Sequence, residues 1–243
     1  MTEGTGNESK TFDVQKIIED SKNVLLKPKE YFASMPKTGG LGEPIIKALV
    51  YGTIAGLISM IWAIIGFGAV GSMFGAGAST GIAAGITVLI TTIIVSLIGV
   101  FIGGVIVLVI SAICGGTTDF EANLRVSASL MVVYPINSLL GFLSGIHFSL
   151  GAIVSLVVSL YSLYLLYMAL TNALEGKEGT AKIVSIVLGI IPVLMLVSAL
   201  ICTQAIKSGA DNYMRKGYPY GNKSDQKKVN DALKKLRQLQ NNN

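Results

Sequence analysis

The sequence predicts an all-α protein, a polytopic transmembrane helix bundle with about five spans. The first observation is a run of 71 residues, Ala48–Thr118, without Asp, Glu, Lys, Arg or His. Two further stretches, Val126–Leu174 and Ile183–Ile206, contain one such residue between them, His147. Soluble domains carry a charge at about every fourth residue, so these stretches indicate hydrocarbon surroundings. A helix crosses the hydrocarbon core in about 20 residues, and the longest stretch therefore suits two spans.

Charge divides the chain into three predicted segments. Residues 1–45 form a polar leader, residues 46–206 the membrane domain and residues 207–243 a basic tail. Within the leader, Phe12–Leu26 places its apolar residues on roughly one helical face. This predicts an amphipathic helix that either lies on the membrane surface or packs against the protein's own loops. Lys27-Pro28 should end that helix, because proline cannot donate a hydrogen bond.

The five spans are expected to follow one another through short connections. Their predicted bounds are Ile46–Ala69, Ile82–Ile113, Asn123–Phe142, Leu150–Leu174 and Ala181–Ile206. Four glycines within Gly71–Gly81 indicate a short uncharged turn. Pro135 and Pro192 predict kinks in the third and fifth spans. Beyond the spans, Asp211–Lys223 is expected to be irregular and Asp225–Gln240 to form a basic helix.

The positions of the basic residues predict how the bundle is oriented. A cytoplasmic N-terminus places these residues inside: Lys27, Lys29, Lys37, Lys47, Arg125, Lys177 and Lys182. The loops at 71–81 and 143–149 contain no Lys or Arg, as exterior loops should. The tail at 207–243 opposes this orientation, because five spans place its nine basic and three acidic residues outside. The loops outweigh the tail, which predicts a multi-pass protein, in the cell membrane if prokaryotic, with a cytoplasmic N-terminus.

The bilayer itself is the first expected partner. The basic tail favours anionic lipid headgroups, each nearby Lys or Arg contributing about 1 kcal/mol. Nucleic acid is not expected, because no aromatic or glycine pattern for base stacking accompanies the charges. Glycines four residues apart, as in Gly52/Gly56 and Gly99/Gly103, let helices approach closely. They indicate packing within one chain or, alternatively, contacts with a second copy or another membrane protein.

Eight short segments occur in a characteristic order over about residues 24–205. They are Leu26–Pro36, Gly39-Gly40, Glu43-Pro44, Cys114-Gly115-Gly116, Phe120–Arg125, Tyr134-Pro135, Ser159–Leu170 and Thr180–Lys182. Their order and spacing resemble those of prokaryotic members of the Yip (Ypt/Rab-interacting protein) domain family. The resemblance implies five spans, a cytoplasmic N-terminus and no catalytic activity.

The approach to the first span departs from the eukaryotic pattern of that family. Eukaryotic relatives act in vesicle traffic with small GTPases, through a long cytosolic N-terminal region and an Asp-Leu-Tyr-Gly-Pro segment. In this chain Gly40–Pro44 stands at the corresponding place, behind a short polar leader. The departure argues against small-GTPase binding.

Ten residues are candidate structural or functional positions. They are Gly115, Gly116, Asp119, Glu121, Arg125, Tyr134, Pro135, Asn137, Tyr161 and Tyr164. Glu121 and Arg125 are four residues apart and can pair on one helix face, beside the glycine turn. Such charges at a membrane edge could orient the helix, or bind or gate something.

The remaining candidates also admit two interpretations. Pro135 frees a backbone carbonyl near Asn137, as in the midplane sites of transporters, although kinks without a ligand are common in bundles. Tyr161 and Tyr164 lie on one face of the fourth span, where hydroxyls either line a groove for a lipid or solute or bond neighbouring helices.

The sequence offers little for catalysis. It has one histidine, no Cys-x-x-Cys motif, no paired acidic residues within a span and no phosphate-binding glycine motif. We therefore expect no enzymatic activity, no cofactor and no metal. The favoured function is that of a membrane scaffold or organising factor. The alternative is a small transporter or channel for an ion, small solute or lipid, using the kinked third span and the tyrosine face of the fourth.

Overall fold

The computed structural model describes residues 14–66 and 81–215, together with Asp231 and Lys234. All regular secondary structure in these ranges is helical. The helices are α1 (Val14–Leu26), α2 (Pro28–Ser34), α3 (Gly42–Ile65), α4 (Ile82–Ile113), α5 (Phe120–Leu130), α6 (Val133–Leu140), α7 (Phe142–Ile146), α8 (Phe148–Asn172) and α9 (Glu178–Arg215). The chain divides into two compact units, residues 1–196 and 197–243, and the packing and sites described below lie in the first.

Five helical segments are long and apolar enough to cross a membrane. They are Gly42–Ile65, Ile82–Ile113, Phe120–Ile146, Ser149–Asn172 and Glu178–Ser198. The predicted all-α class and the number of spans are therefore confirmed. The second span has the predicted bounds, and α1 ends one residue before Lys27-Pro28, as expected from the missing proline N–H.

Several predicted boundaries differ from the structure. The first span ends at Ile65, because Gly66 adopts a left-handed conformation (φ 90°) and its N–H caps the carbonyl of Trp62. The third segment begins at Phe120 and continues to Ile146. The fifth helix runs on to Arg215, so the prediction of an irregular segment was wrong for residues 211–215.

Some predictions fall on residues that are not described. The end of the predicted first span at 67–69 and the turn at 71–80 lie outside the described residues, and so does the remainder of the predicted irregular segment at 216–223. Of the predicted tail helix, only Asp231 and Lys234 are described, and both are helical.

The third span consists of three short helices because two of its residues interrupt the helical hydrogen bonding. Pro135 has no N–H to offer the carbonyl of Met131, which instead accepts from the N–H of Tyr134 at 2.9 Å. Helix α5 accordingly ends at Leu130. At the next break, the Gly141 N–H donates to the carbonyl of Ser138, three residues earlier, and this tighter turn separates α6 from α7. The span is thus broken four residues before the proline.

Glycines bring the spans together within the chain. Gly52 and Gly56 on α3 lie against α4, where a Cβ at Gly56 would come 2.9 Å from Leu89 Cδ1. On α4, a Cβ at Gly104 would lie 2.8 Å from Leu124 Cδ1 of α5. Lipid offers no hydrophobic drive for helix association, so such close approach supplies the van der Waals contact that holds a bundle together. Packing within one chain therefore accounts for these glycines.

Helices α1 and α2 lie at the end of the bundle that we call the N-terminal face, which also contains the loops at 35–41, 114–119 and 173–177. Val24 and Phe32 are fully buried against the bundle, whereas Ile18 and Leu26 of α1 are exposed. The amphipathic helix thus has the second of the two predicted arrangements, packing against the protein itself. It still presents apolar side chains outward, where a membrane surface can accommodate them.

Candidate functional site

The most charged part of the interior is a cluster at the N-terminal face, centred on Arg125 of α5. This side chain is only 4% exposed. Its Nη1 donates to Glu43 Oε2 at 2.7 Å, its Nε donates to Glu121 Oε1 at 3.0 Å, and its Nη2 donates to the Gly40 carbonyl at 2.9 Å. A planar guanidinium suits this set of acceptors, because its donors diverge in a fixed fork. The predicted pair of Glu121 with Arg125 is part of this arrangement.

The second cation of the cluster is Lys47, on the second turn of α3. Its ammonium lies 2.8 Å from Asp20 Oδ2 of α1 and 3.1 Å from Glu43 Oε1, and it donates to the hydroxyl of Tyr31 on α2 at 3.1 Å. Its side chain is 7% exposed. Glu43 therefore bridges both cations, one through each carboxylate oxygen.

Together these residues form one network, here called the ionic network: Asp20, Glu43, Lys47, Glu121 and Arg125. Three carboxylates surround two cations, so its formal charge is −1. The network connects α1, α3 and α5, and the hydroxyl contact of Tyr31 with Ser129, at 3.0 Å, adds α2. Separating α1 from α3 would leave Asp20 without its cation, and separating α3 from α5 would break the pair of Glu43 with Arg125. Breaking such pairs in a poorly solvated place costs several kcal/mol.

The predicted glycine turn lies beside this network and connects two loops. The Thr117 N–H donates to Leu174 O at 2.8 Å, and the Lys177 N–H donates to Cys114 O at 2.9 Å. Gly116 has no room for a side chain, because a Cβ would lie 2.5 Å from Leu174 O. Gly115 has φ +70°, which favours glycine. Two backbone hydrogen bonds therefore join the loops that follow α4 and α8.

Three further groups define the electrostatics of the same face. The Asp119 carboxylate caps α5 by accepting from the Ala122 N–H at 2.8 Å. Lys37 pairs with Glu175, and its ammonium holds the pKa of that carboxyl below the ordinary value. Burial raises the pKa of the Cys114 thiol, which keeps it protonated at neutral pH and a poor nucleophile.

A polar cavity of about 340 Å³ lies next to the network, between α1, α2 and the start of α3. Its lining includes Asn23, Lys27 and Glu30 beside the network residues Asp20 and Glu43. Both signs of charge are therefore presented within one concave surface. Within the described residues, no three His, Cys, Asp or Glu side chains are arranged to hold a metal ion.

The other predicted site residues lie away from the network. Tyr134 and Asn137 of α6 are exposed at the surface of the bundle, and Pro135 is half-buried. Tyr161 donates its hydroxyl hydrogen to the carbonyl of Leu25, at the end of α1. Tyr164, whose ring lies 6.0 Å from that of Tyr161, is 45% exposed and faces a groove between α8 and α9.

Sequence reasoning missed Asp20, Tyr31, Glu43 and Lys47 as site residues. One signal was available, because Glu43 and Lys47 are spaced for a pair on one helix face. Lys47 is also the last charge before the 71-residue uncharged run. Its partner Asp20, on another helix, could not be read from that spacing.

The fold and the buried charges define a multi-pass α-helical membrane protein with a polar, internally bonded face at one end. The sequence model of the Yip1 domain matches residues 22–200, which is well over half of the 243 residues. The chain therefore belongs to the Yip1 domain family, which confirms the predicted family. The match includes Glu43, Lys47 and Arg125, whereas Asp20 lies just before it. The comparisons find no matching curated protein and no matching solved structure.

Proposed function

We propose that this Yip1 family protein is a non-enzymatic scaffold that holds a rigid N-terminal face at the cytoplasmic surface of the cell membrane. Other membrane-associated proteins would dock on this face. The observation that carries the proposal is the ionic network, which joins three helices from distant parts of the chain through two almost fully buried cations.

The network favours a fixed platform over a moving gate. Parting α3 from α5 would separate Arg125 from Glu43. Parting α1 from α3 would separate Lys47 from Asp20, and each lost contact between buried charges is costly. The loops at 114–119 and 173–177 are also fixed to each other, by the backbone hydrogen bonds of Thr117 with Leu174 and of Lys177 with Cys114. A scaffold benefits from this stiffness, because a preorganised surface loses little conformational entropy when a partner binds.

The residues of the transporter alternative are placed less favourably for that function. Polar groups that form a transport site face the interior of a bundle or a water-filled cavity. Asn137 is exposed instead, and the hydroxyl of Tyr161 is bonded to the backbone of α1. The contact of Tyr161 with α1 supports a structural role for that residue.

The polar cavity beside the network is the part of the face that a partner would enter. It combines Lys27 and Glu30 with the amide of Asn23, so a partner segment carrying charges of both signs is expected to fit. Glu30 and Lys27 are exposed. A partner segment can therefore replace the water around them at a small cost in desolvation free energy.

Affinity purification from native membranes, with quantitative mass spectrometry, tests docking at this cavity. We expect a partner that is retained stoichiometrically by the wild type and lost with Glu30→Lys. Glu19→Lys is the matched control, because Glu19 is an exposed acid of α1 outside the cavity lining. Equal retention by both variants would argue against the cavity as the docking site.

Flux assays on reconstituted liposomes test the rival function. The proposal expects no solute or ion flux above that of protein-free vesicles. Flux that Asn137→Ala or Tyr164→Phe abolishes would overturn the scaffold and establish transport.

A further inference from the structure

A long groove runs between α8 and α9 on the outer surface of the bundle. It encloses about 710 Å³. Helix α9 packs sparsely, and only 6% of its most apolar stretch is buried inside the structure. At Gly189 on α9, an added Cβ would lie 3.8 Å from the Leu163 side chain, so this position has room for a larger residue or a ligand atom. In a bilayer this space is open to lipid.

The groove changes from polar to apolar along its length. At its end near the N-terminal face, the Tyr167 hydroxyl donates to Glu178 Oε1 at 3.2 Å. Lys182, one turn further along α9, also lines the groove, and it makes no ion pair among the described residues. Beyond Lys182 the lining is mainly aliphatic, with Leu160, Leu163, Ile186, Ile190 and Val193. Such a gradient matches an amphiphile that lies parallel to the helices.

The dimensions fit one leaflet of a membrane. Lys182 and Val193 are eleven residues apart on α9, which corresponds to about 16 Å at 1.5 Å per residue. Half of the hydrocarbon core is about 15 Å thick. A lipid whose headgroup lies at Lys182 would therefore extend its acyl chain along the whole apolar part of the groove.

We infer that the groove between α8 and α9 binds one phosphatidylethanolamine molecule, with the phosphate at Lys182, the primary ammonium at Glu178 and an acyl chain along the aliphatic wall. The two side chains present one positive and one negative group, the complement of this headgroup. The headgroup of phosphatidylglycerol contains no cationic group that could pair with the Glu178 carboxylate. Phosphatidylcholine carries a quaternary ammonium, which has no N–H to donate.

A second observation concerns Ser185, one turn deeper than Lys182 in the wall of the same groove. Its hydroxyl is buried and has no hydrogen-bond partner among the described residues. A buried donor without a partner is costly, and a bound glycerophospholipid carries ester carbonyls just below its phosphate. A second copy of this chain, inserting an apolar helix, would supply no such acceptor and would leave Lys182 and Glu178 unmatched.

Native mass spectrometry of the full chain, released from nanodiscs of equal phosphatidylethanolamine, phosphatidylcholine and phosphatidylglycerol, tests the inference. We expect one retained phosphatidylethanolamine per monomer. Lys182→Gln should lower its retention about tenfold, as the loss of a charge-assisted bond implies. Glu178→Gln should keep a bound phospholipid but remove the preference for phosphatidylethanolamine over phosphatidylcholine.

Matched variants separate the groove from general surface charge. Lys177→Gln removes a nearby cation outside the groove lining and should leave lipid retention unchanged. Gly189→Leu fills the groove and should abolish retention, whereas Val187→Leu on the exposed side of α9 should not. Unchanged thermal midpoints establish that each variant is folded.

Three results would overturn the inference. The first is equal retention of the three lipids by the wild type, and the second is a preference for phosphatidylglycerol. The third is a lipid-free dimer that Gly189→Leu dissociates, which would assign the groove to a second copy of the chain.

Discussion

Arg125→Gln removes the cation at the centre of the ionic network and leaves a shorter, uncharged polar side chain. The substitution breaks three hydrogen bonds, to Glu43, Glu121 and the Gly40 carbonyl. It also leaves Glu121 with the Gly40 N–H, at 2.6 Å, as its remaining partner. Removing one member of a buried ion pair costs about 3–5 kcal/mol. We expect a loss of that size in the free energy of unfolding.

Denaturant unfolding in detergent micelles, followed by circular dichroism, measures this loss. Arg125→Lys keeps the charge but not the fork of donors, so its loss should be smaller and measurable even if Arg125→Gln folds poorly. The matched control is Lys29→Gln, which removes an exposed cation of α2 and should change stability by no more than about 0.5 kcal/mol.

A double-mutant cycle tests whether Arg125 acts through Glu43. If it does, Glu43→Gln and Arg125→Gln together should cost less than the sum of the single changes, with a coupling of about 0.5–3 kcal/mol. Additive effects, or a loss for Arg125→Gln no larger than that of the Lys29→Gln control, would refute the network as the element that fixes the face.

Three further predictions concern the loops of the same face. Gly116→Ala should lower the thermal midpoint clearly, since its Cβ would meet Leu174 O at 2.5 Å, whereas Gly179→Ala, with open space around it, should leave the midpoint unchanged or raise it. Asp119→Ala should cost about 1 kcal/mol of unfolding free energy through loss of the helix cap, and Asp119→Asn should restore most of it. Lys37 lowers the pKa of Glu175, so this pair stabilises the fold above the ordinary carboxyl pKa and loses that effect as pH falls through the lowered value. The midpoint difference between wild type and Glu175→Gln should therefore be present at pH 7 and vanish in acid, and a constant difference would contradict it.

Local features of the sequence explain why much of the fold was predictable. The uncharged runs locate the spans because membrane insertion depends on hydropathy summed over neighbouring residues. The bounds of α4 could be predicted for this reason, and the end of α1 followed from Pro28. The boundary error at Arg215 has a matching cause, since polar residues can continue a helix beyond the hydrocarbon.

The site was only half predictable. The pairing of Glu121 with Arg125 follows from the helical repeat and could be expected. The contact of Tyr161 with Leu25 and that of Lys47 with Asp20 could not, because in each case the partner lies on a different helix. The exposure of Asn137 likewise depends on which face of α6 turns toward its neighbours, and polarity alone does not determine it.

The sequence by itself determined that this is a membrane protein, that it has five helical spans and to which family it belongs. Each of these properties is encoded in stretches of neighbouring residues. Only the tertiary structure decided that Asp20 meets Lys47, and that Glu43 meets Arg125 from 82 positions away. An ion pair forms within about 4 Å, and which charges come that close depends on how the helices cross. The crossing is set in turn by glycines such as Gly52 and Gly104, whose missing side chains let α3, α4 and α5 approach.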